Sequence, residues 1–194
     1  MSDNLRRYRA IRDALRQGYP GQLTGSGARH VTTLAALISG SVGGQRTHLP
    51  HIATKVPDGP QADSRVKRFA RWVRNDRITE AGSFVPYAQV LLAHLALHTL
   101  VLIIDGSVVG RGCGALMVPV VYTGRALPLA WQVRKGQQGH FPEDLPIALV
   151  KQGHSLIPLG ASGVVRGDGA FDGTALQHTL QDDLQEVQQW VNWL

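Results

Sequence analysis

The sequence is short of the features that hold secreted or membrane proteins together. Its one cysteine, Cys113, excludes an intrachain disulfide and fits a reducing compartment. No apolar run is long enough for a membrane span: the richest stretch, residues 90–104, carries His94 and His98 and stops at Asp105. The opening MSDNLRRYRAIRDALRQ lacks the apolar segment of a secretory signal. Glycine and proline are scattered, so no segment is low-complexity, and no internal repeat is visible. A cytoplasmic protein without a membrane partner is expected. What is present suits a packed core. The 194 residues, 43% of them apolar, suffice for one sizeable domain or a medium domain with a small one.

Charge is unevenly placed. Over residues 1–80, 14 Lys and Arg face 6 Asp and Glu, a net +8; over residues 81–194 the balance is 6 to 8, a net −2. A basic first part joined to a mildly acidic second part suggests that one grips an anion and the other processes it, nucleic acid being the obvious large anion. A solvated basic surface explains the charge equally well.

The first part, residues 1–84, is expected to be helical. Leu5, Tyr8, Ile11 and Leu15 share one face. Val31, Leu34, Ala35 and Ile38 repeat the pattern, with Gly40 as the expected stop. A short helix is expected over residues 49–54. In ADSRVKRFARWVRND, Val66, Phe69, Ala70 and Val73 form an apolar stripe, and Asp63 or Ser64 can cap its start. The other faces carry Arg65, Lys67, Arg68, Arg71 and Arg74. These five are the candidate DNA contacts, from a helix lying in a groove or along phosphates; the competing reading is an exposed, solvated helix.

The second part, residues 85–194, changes period. Pro86 opens a mostly buried helix through Leu97. LVLIIDGSVV, ALMVPVVYTG and RALPLAWQVR are strands with short connections, so an antiparallel meander is expected. A short helix, DLPIALVKQG, and a fourth strand, SGVVRGDG, follow. GTALQHTLQDDLQ begins another helix, with Asp172 as a possible cap.

Few residues carry chemistry. GRGCG is best explained as a hairpin turn. His94 and His98 have the i, i+4 spacing of metal ligands but lack a glutamate base and a third ligand, so packing or interface roles are favoured. Glu143 and Asp144 are expected to cap the short helix. Asp105 and Asp168 differ: each ends or nearly ends an apolar strand and is followed by small residues, in DGS and DGA. If their strands are neighbours, the carboxylates converge at one sheet edge. Two unit charges ~4 Å apart repel by roughly 4 kcal/mol at an effective dielectric of 20, and a divalent cation removes that repulsion. An oxygen-only donor set favours Mg²⁺ or Mn²⁺. On spacing alone, Asp105 as a turn residue beside glycine remains the stronger reading.

LVLIIDGSVVGRG, ALMVPVVYTGRALPLAWQV, KGQQGH and VVRGDGAFDG resemble bacterial insertion-sequence transposases with an RNase H-like DDE domain. The likeness covers most of residues 30–180, and SRVKRFARWVRN is similar to the basic helix of that family. It implies an α/β fold: an RNase H-like mixed sheet of β-β-β-α-β-α succession, incomplete, behind a small all-helical DNA-binding region. It implies cut-and-paste DNA transposition with Mg²⁺ or Mn²⁺. Asp105 and Asp168 match the family's first and second metal-binding aspartates. Double-stranded DNA, as transposon ends and target, would be the partner, with a homodimer or a complex with an intact transposase as further assemblies. The protein would be nucleoid-associated when bound to DNA. The family also requires a late glutamate in a Tyr-Arg-Glu-Lys type motif, and nothing here matches it. Glu186 follows Asp168 by only 18 residues, on what reads as the same helix. The last strand is also expected to be absent from the tail, and with it a truncated chain is expected. The alternatives are a catalytically inactive DNA-binding remnant or inhibitor, and an unrelated metal-dependent nuclease.

Overall fold

A computed structural model describes residues 2–19, 21–57, 61–136, 141–171, 173–180 and 187–192. The chain forms two compact units, Met1–Tyr87 and Ala88–Leu194.

The first unit is helical. It contains α1 (Asp3–Gln17), α2 (Gly25–Gly44), α3 (Leu49–Lys55), α4 (Ala62–Val73), the short α5 (Glu80–Ser83) and the start of α6 (Val85–Leu95). Its core gathers Tyr8, Ala35, Ala36, Leu37, Ile52, Ala53, Val56 and Phe69, with Leu5, Ile11, Leu15, Val66 and Trp72 packed around them. The apolar face expected of α1 is therefore the one that packs.

Three expectations change here. The second helix does not stop at Gly40. It runs on to Gly44 and ends at Gln45, whose φ of 52° is left-handed. Gly40 is a packing glycine, because a Cβ there would lie 2.5 Å from Ile52 Cγ2 and 2.7 Å from Ile52 O, so α3 can approach α2 only without one. In α4 the inward set is Val66, Phe69 and Trp72, while Val73 is 61% exposed because the last turn outruns the core. Neither Asp63 nor Ser64 caps that helix. Its N-cap is Gln61, without a side-chain bond, and Asp63 sits in the first turn, where a negative charge suits the helix dipole.

The second unit is a mixed sheet with helices. β1 (Leu100–Gly110), β2 (Cys113–Tyr122) and β3 (Arg125–Lys135) form the antiparallel meander. Its turns are two-residue, Arg111-Gly112 and Thr123-Gly124, and all four residues have positive φ. Such turns match the twist of the flanking strands, and the sequence supplies a glycine at the second position of each. Pro119 coincides with a register shift between β2 and β3, the irregularity a missing N–H produces.

Next come α7 (Asp144–His154), β4 (Gly163–Gly167), a 3-10 turn (Gly169–Phe171), α8 (Thr174–His178) and β5 (Val187–Asn192). The sheet order is β3-β2-β1-β4-β5, with β4 parallel to β1 and β5 parallel to β4. The expectation of an absent last strand is thus corrected: β5 occupies that tail, whose Val187, Trp190 and Val191 carry strand propensity. Glu186 and Asp172 lie outside the described residues. Helix α7 packs on β2 and β3, where Gly153 allows close approach to Val118. Helix α6 is less buried than expected: Pro86, Ala88 and Leu92 are inside, whereas Gln89, Val90, Ala93 and His94 are exposed.

Candidate functional site

The meander and its parallel neighbour bring Asp105 and Asp168 side by side. β1 and β4 run in register from Leu100 opposite Gly163 to Ile104 opposite Gly167. The next residue on each is an aspartate. Adjacent strands lie about 4.8 Å apart, so the two backbone positions are immediate neighbours. Side chains alternate along a strand, so in-register residues share a face. The burial pattern agrees. Leu100, Leu102, Ile104 and Val165 are buried on one face, while Val101, Ile103, Val164 and Arg166 are half-buried on the other, the face that leads to Asp105 and Asp168. Both aspartates are exposed, so neither bears the cost of a buried charge. The place is also where the strand order reverses, since β2 and β4 flank β1. In open α/β sheets such switch points open a crevice at the carboxyl ends of parallel strands.

Turn capping, the competing reading, separates the two residues. Asp168 does cap: its Oδ1 accepts from Ala170 N at 3.0 Å and holds the 3-10 turn, which leaves Oδ2 for another partner. Asp105 does not. It sits inside β1 opposite Met117, the strand continues five residues beyond it to Gly110, and its carboxylate has no partner among the described residues. Among those residues no group of three or more His, Cys, Asp and Glu gathers anywhere. His94 and His98 are both exposed, but α6 ends at Leu95 and His98 lies beyond it; the His94 ring bonds to Val90 O at 2.7 Å.

A cavity of about 370 Å³ adjoins Asp168, lined also by Ser107, Phe141, Glu143, Phe171 and Leu176. Gly106 and Gly114 form part of its floor. A Cβ at either would come within 3.0 and 3.3 Å of the Phe141 ring, so the ring is seated on glycine. Asp105 does not line this cavity. Glu143 is the residue the sequence reading misplaced. It stands at the N-cap position of α7 but its side chain makes no capping bond, and its carboxylate reaches toward Gly173 instead. Nothing in the sequence signals this, because the contact joins segments thirty residues apart.

The basic helix divides into two sets. Lys67, Arg71 and Arg74, at i, i+4 and i+7, are exposed along one strip. Arg65 and Arg68 are half-buried beside Trp72, and the Arg68 guanidinium lies 5.4 Å from the centroid of the Phe69 ring. Their stems cover core residues while their heads carry charge. Among the described residues none of the five pairs with a carboxylate, unlike Arg6 with Asp3 and Arg12 with Asp13. Nε of Arg65 and of Arg68 is buried, and Arg71 Nε donates to the Lys67 carbonyl at 3.4 Å.

No described helix is long and apolar enough to cross a membrane. No protein-family model matches the chain, and no curated protein matches it.

Proposed function

We propose that the chain is the DNA-binding and partial catalytic portion of an RNase H-like DDE transposase. The observation that carries this is the position of Asp105 and Asp168, each the residue after the last in-register pair of β1 and β4, at the switch point of the sheet. The β-β-β-α-β-α succession from β1 to α8 supports it, as does a basic helix without carboxylate partners among the described residues. Two adjacent carboxylates are an oxygen-only donor set, which fits Mg²⁺ or Mn²⁺. Asp105 and Asp168 would hold the ion, whose chemistry is to polarise a phosphoryl oxygen and offset its charge. Rigid, apolar β1 and β4 keep the two carboxylates together. The exposed strip on α4 holds duplex phosphates from transposon ends or target. The protein acts in the bacterial cytoplasm, on nucleoid DNA.

A metal-dependent nicking assay tests this, using duplex DNA with the terminal repeats that flank the coding sequence. The reading expects cleavage that needs Mg²⁺ and is lost in Asp105→Asn and in Asp168→Asn, while DNA binding persists in both. Cleavage of arbitrary DNA without end preference would instead indicate an unrelated metal-dependent nuclease. A second reading follows from the sequence, in which no glutamate matches the family's late Tyr-Arg-Glu-Lys type motif. It is a remnant that binds ends and inhibits an intact relative. Wild-type binding without nicking, together with inhibition of an intact transposase, would establish it.

A further inference from the structure

A second cavity lies wholly within the first unit and has the opposite chemistry from the aspartate edge. Its volume is about 120 Å³. A water's share of liquid volume is about 30 Å³, so the space suits a small ion and is well below the ~300 Å³ at which pockets for larger organic ligands begin. His30 of α2, Trp72 of α4, and Arg77, Thr79 and Tyr87 beyond it all contribute to its wall. Among the described residues no carboxylate does. The polar groups are dominated by donors. Arg77 and Trp72 can only donate. The Thr79 oxygen already accepts from Gly82 N at 3.3 Å, which leaves its own proton to give. Trp72 Nε1 and Tyr87 Oη are both enclosed and, among the described residues, without a hydrogen-bond partner. An unpaired buried donor costs about 1–3 kcal/mol, which an acceptor on the cavity side recovers. Burial, and then the neighbouring Tyr19, push the Tyr87 phenol above its ordinary range, so it stays protonated and able to donate.

We propose that this cavity is an oxyanion site that takes a phosphate group, with Arg77 supplying charge and His30, Tyr87, Trp72 and Thr79 supplying further donors. The chemistry serves a free phosphate or a phosphate of the DNA backbone. The second source rests on the DNA-binding reading above, and the first does not.

The test follows the indole N–H signal of Trp72, assigned in the full chain from its loss in Trp72→Phe. Inorganic phosphate and a short duplex are titrated separately, and Tyr87→Phe and Arg77→Ala are compared with wild type. Phosphate is expected to move the Trp72 signal saturably, and each variant to weaken that binding about tenfold, one charge-assisted bond's worth. If the duplex moves the same signal, and the two variants blunt that movement, the source is backbone phosphate. If the duplex binds through α4 without touching the signal, the site stands and takes free phosphate. If phosphate moves the signal and the duplex does not bind at all, the site stands and the DNA reading fails. A Trp72 signal unmoved by both probes, or a phosphate shift unaffected by both variants while each remains folded, overturns the site whatever the duplex does elsewhere.

Discussion

Position 40 shows how much one methyl group decides. Alanine is a better helix former than glycine by about 1 kcal/mol. At Gly40 that gain is outweighed, because the new Cβ would strike Ile52 side chain and backbone within 2.7 Å. Overpacking of that kind costs about 1–3 kcal/mol. Gly40→Ala is therefore expected to lower the denaturant midpoint. Gly27→Ala, where the nearest atom is Leu23 Cδ2 at 3.5 Å, should hold or raise it. Equal midpoints for the two would refute the close-approach argument. Asp105 and Asp168 make a second prediction at this scale. Saturating Mg²⁺ should raise the melting temperature of the wild type, by roughly 2.7 kcal/mol of linkage at a hundredfold excess over Kd. The rise should vanish in Asp105→Asn and Asp168→Asn but survive in Asp144→Asn, which lies in the first turn of α7. A rise that survives loss of both aspartates would rule out this pair as the binding place. The candidate pair was legible because both aspartates end apolar runs. The side chain of Glu143 was not, since capping propensity is local and its real neighbour, Gly173, is distant in sequence.

At the scale of the element, α4 separates packing from charge. Phe69 is fully buried and its truncation to alanine should cost about 3–5 kcal/mol. Val73 is mostly exposed, so Val73→Ala should change stability by no more than about 0.5 kcal/mol. Chemical denaturation of the two variants measures the difference, and similar losses would mean that the helix packs in another rotation. Helical periodicity located the stripe but could not tell where the core beneath it ends. Strand β1 gives the matching lesson for the sheet. LVLIIDGSVV was legible as one strand, although an aspartate beside glycine is also common in turns. Pairing with β2 carries the strand through Asp105 to Gly110, because Asp105, Gly106 and Ser107 each find a partner across the ladder. Tertiary pairing overrode the local turn preference.

At the scale of the whole molecule, the charge asymmetry should appear as salt dependence. Each phosphate neutralised on duplex DNA adds about 0.9 to the slope of log affinity against log salt. Replacing Lys67 and Arg71 of the exposed strip together by alanine should lower that slope by about 2. An unchanged slope would place DNA binding elsewhere. The +8 of residues 1–80 and the −2 of the remainder are properties of the sequence alone. So are the helical first part, the strand meander with its glycine turns, and the two aspartates at strand positions, because each follows from local periodicity and turn chemistry. Only the tertiary structure decided that β4 lies beside β1 in register, that β5 extends the sheet, that Gly40 serves packing and that Glu143 faces a cavity. Those outcomes depend on contacts between residues far apart in the chain, which local propensity does not encode.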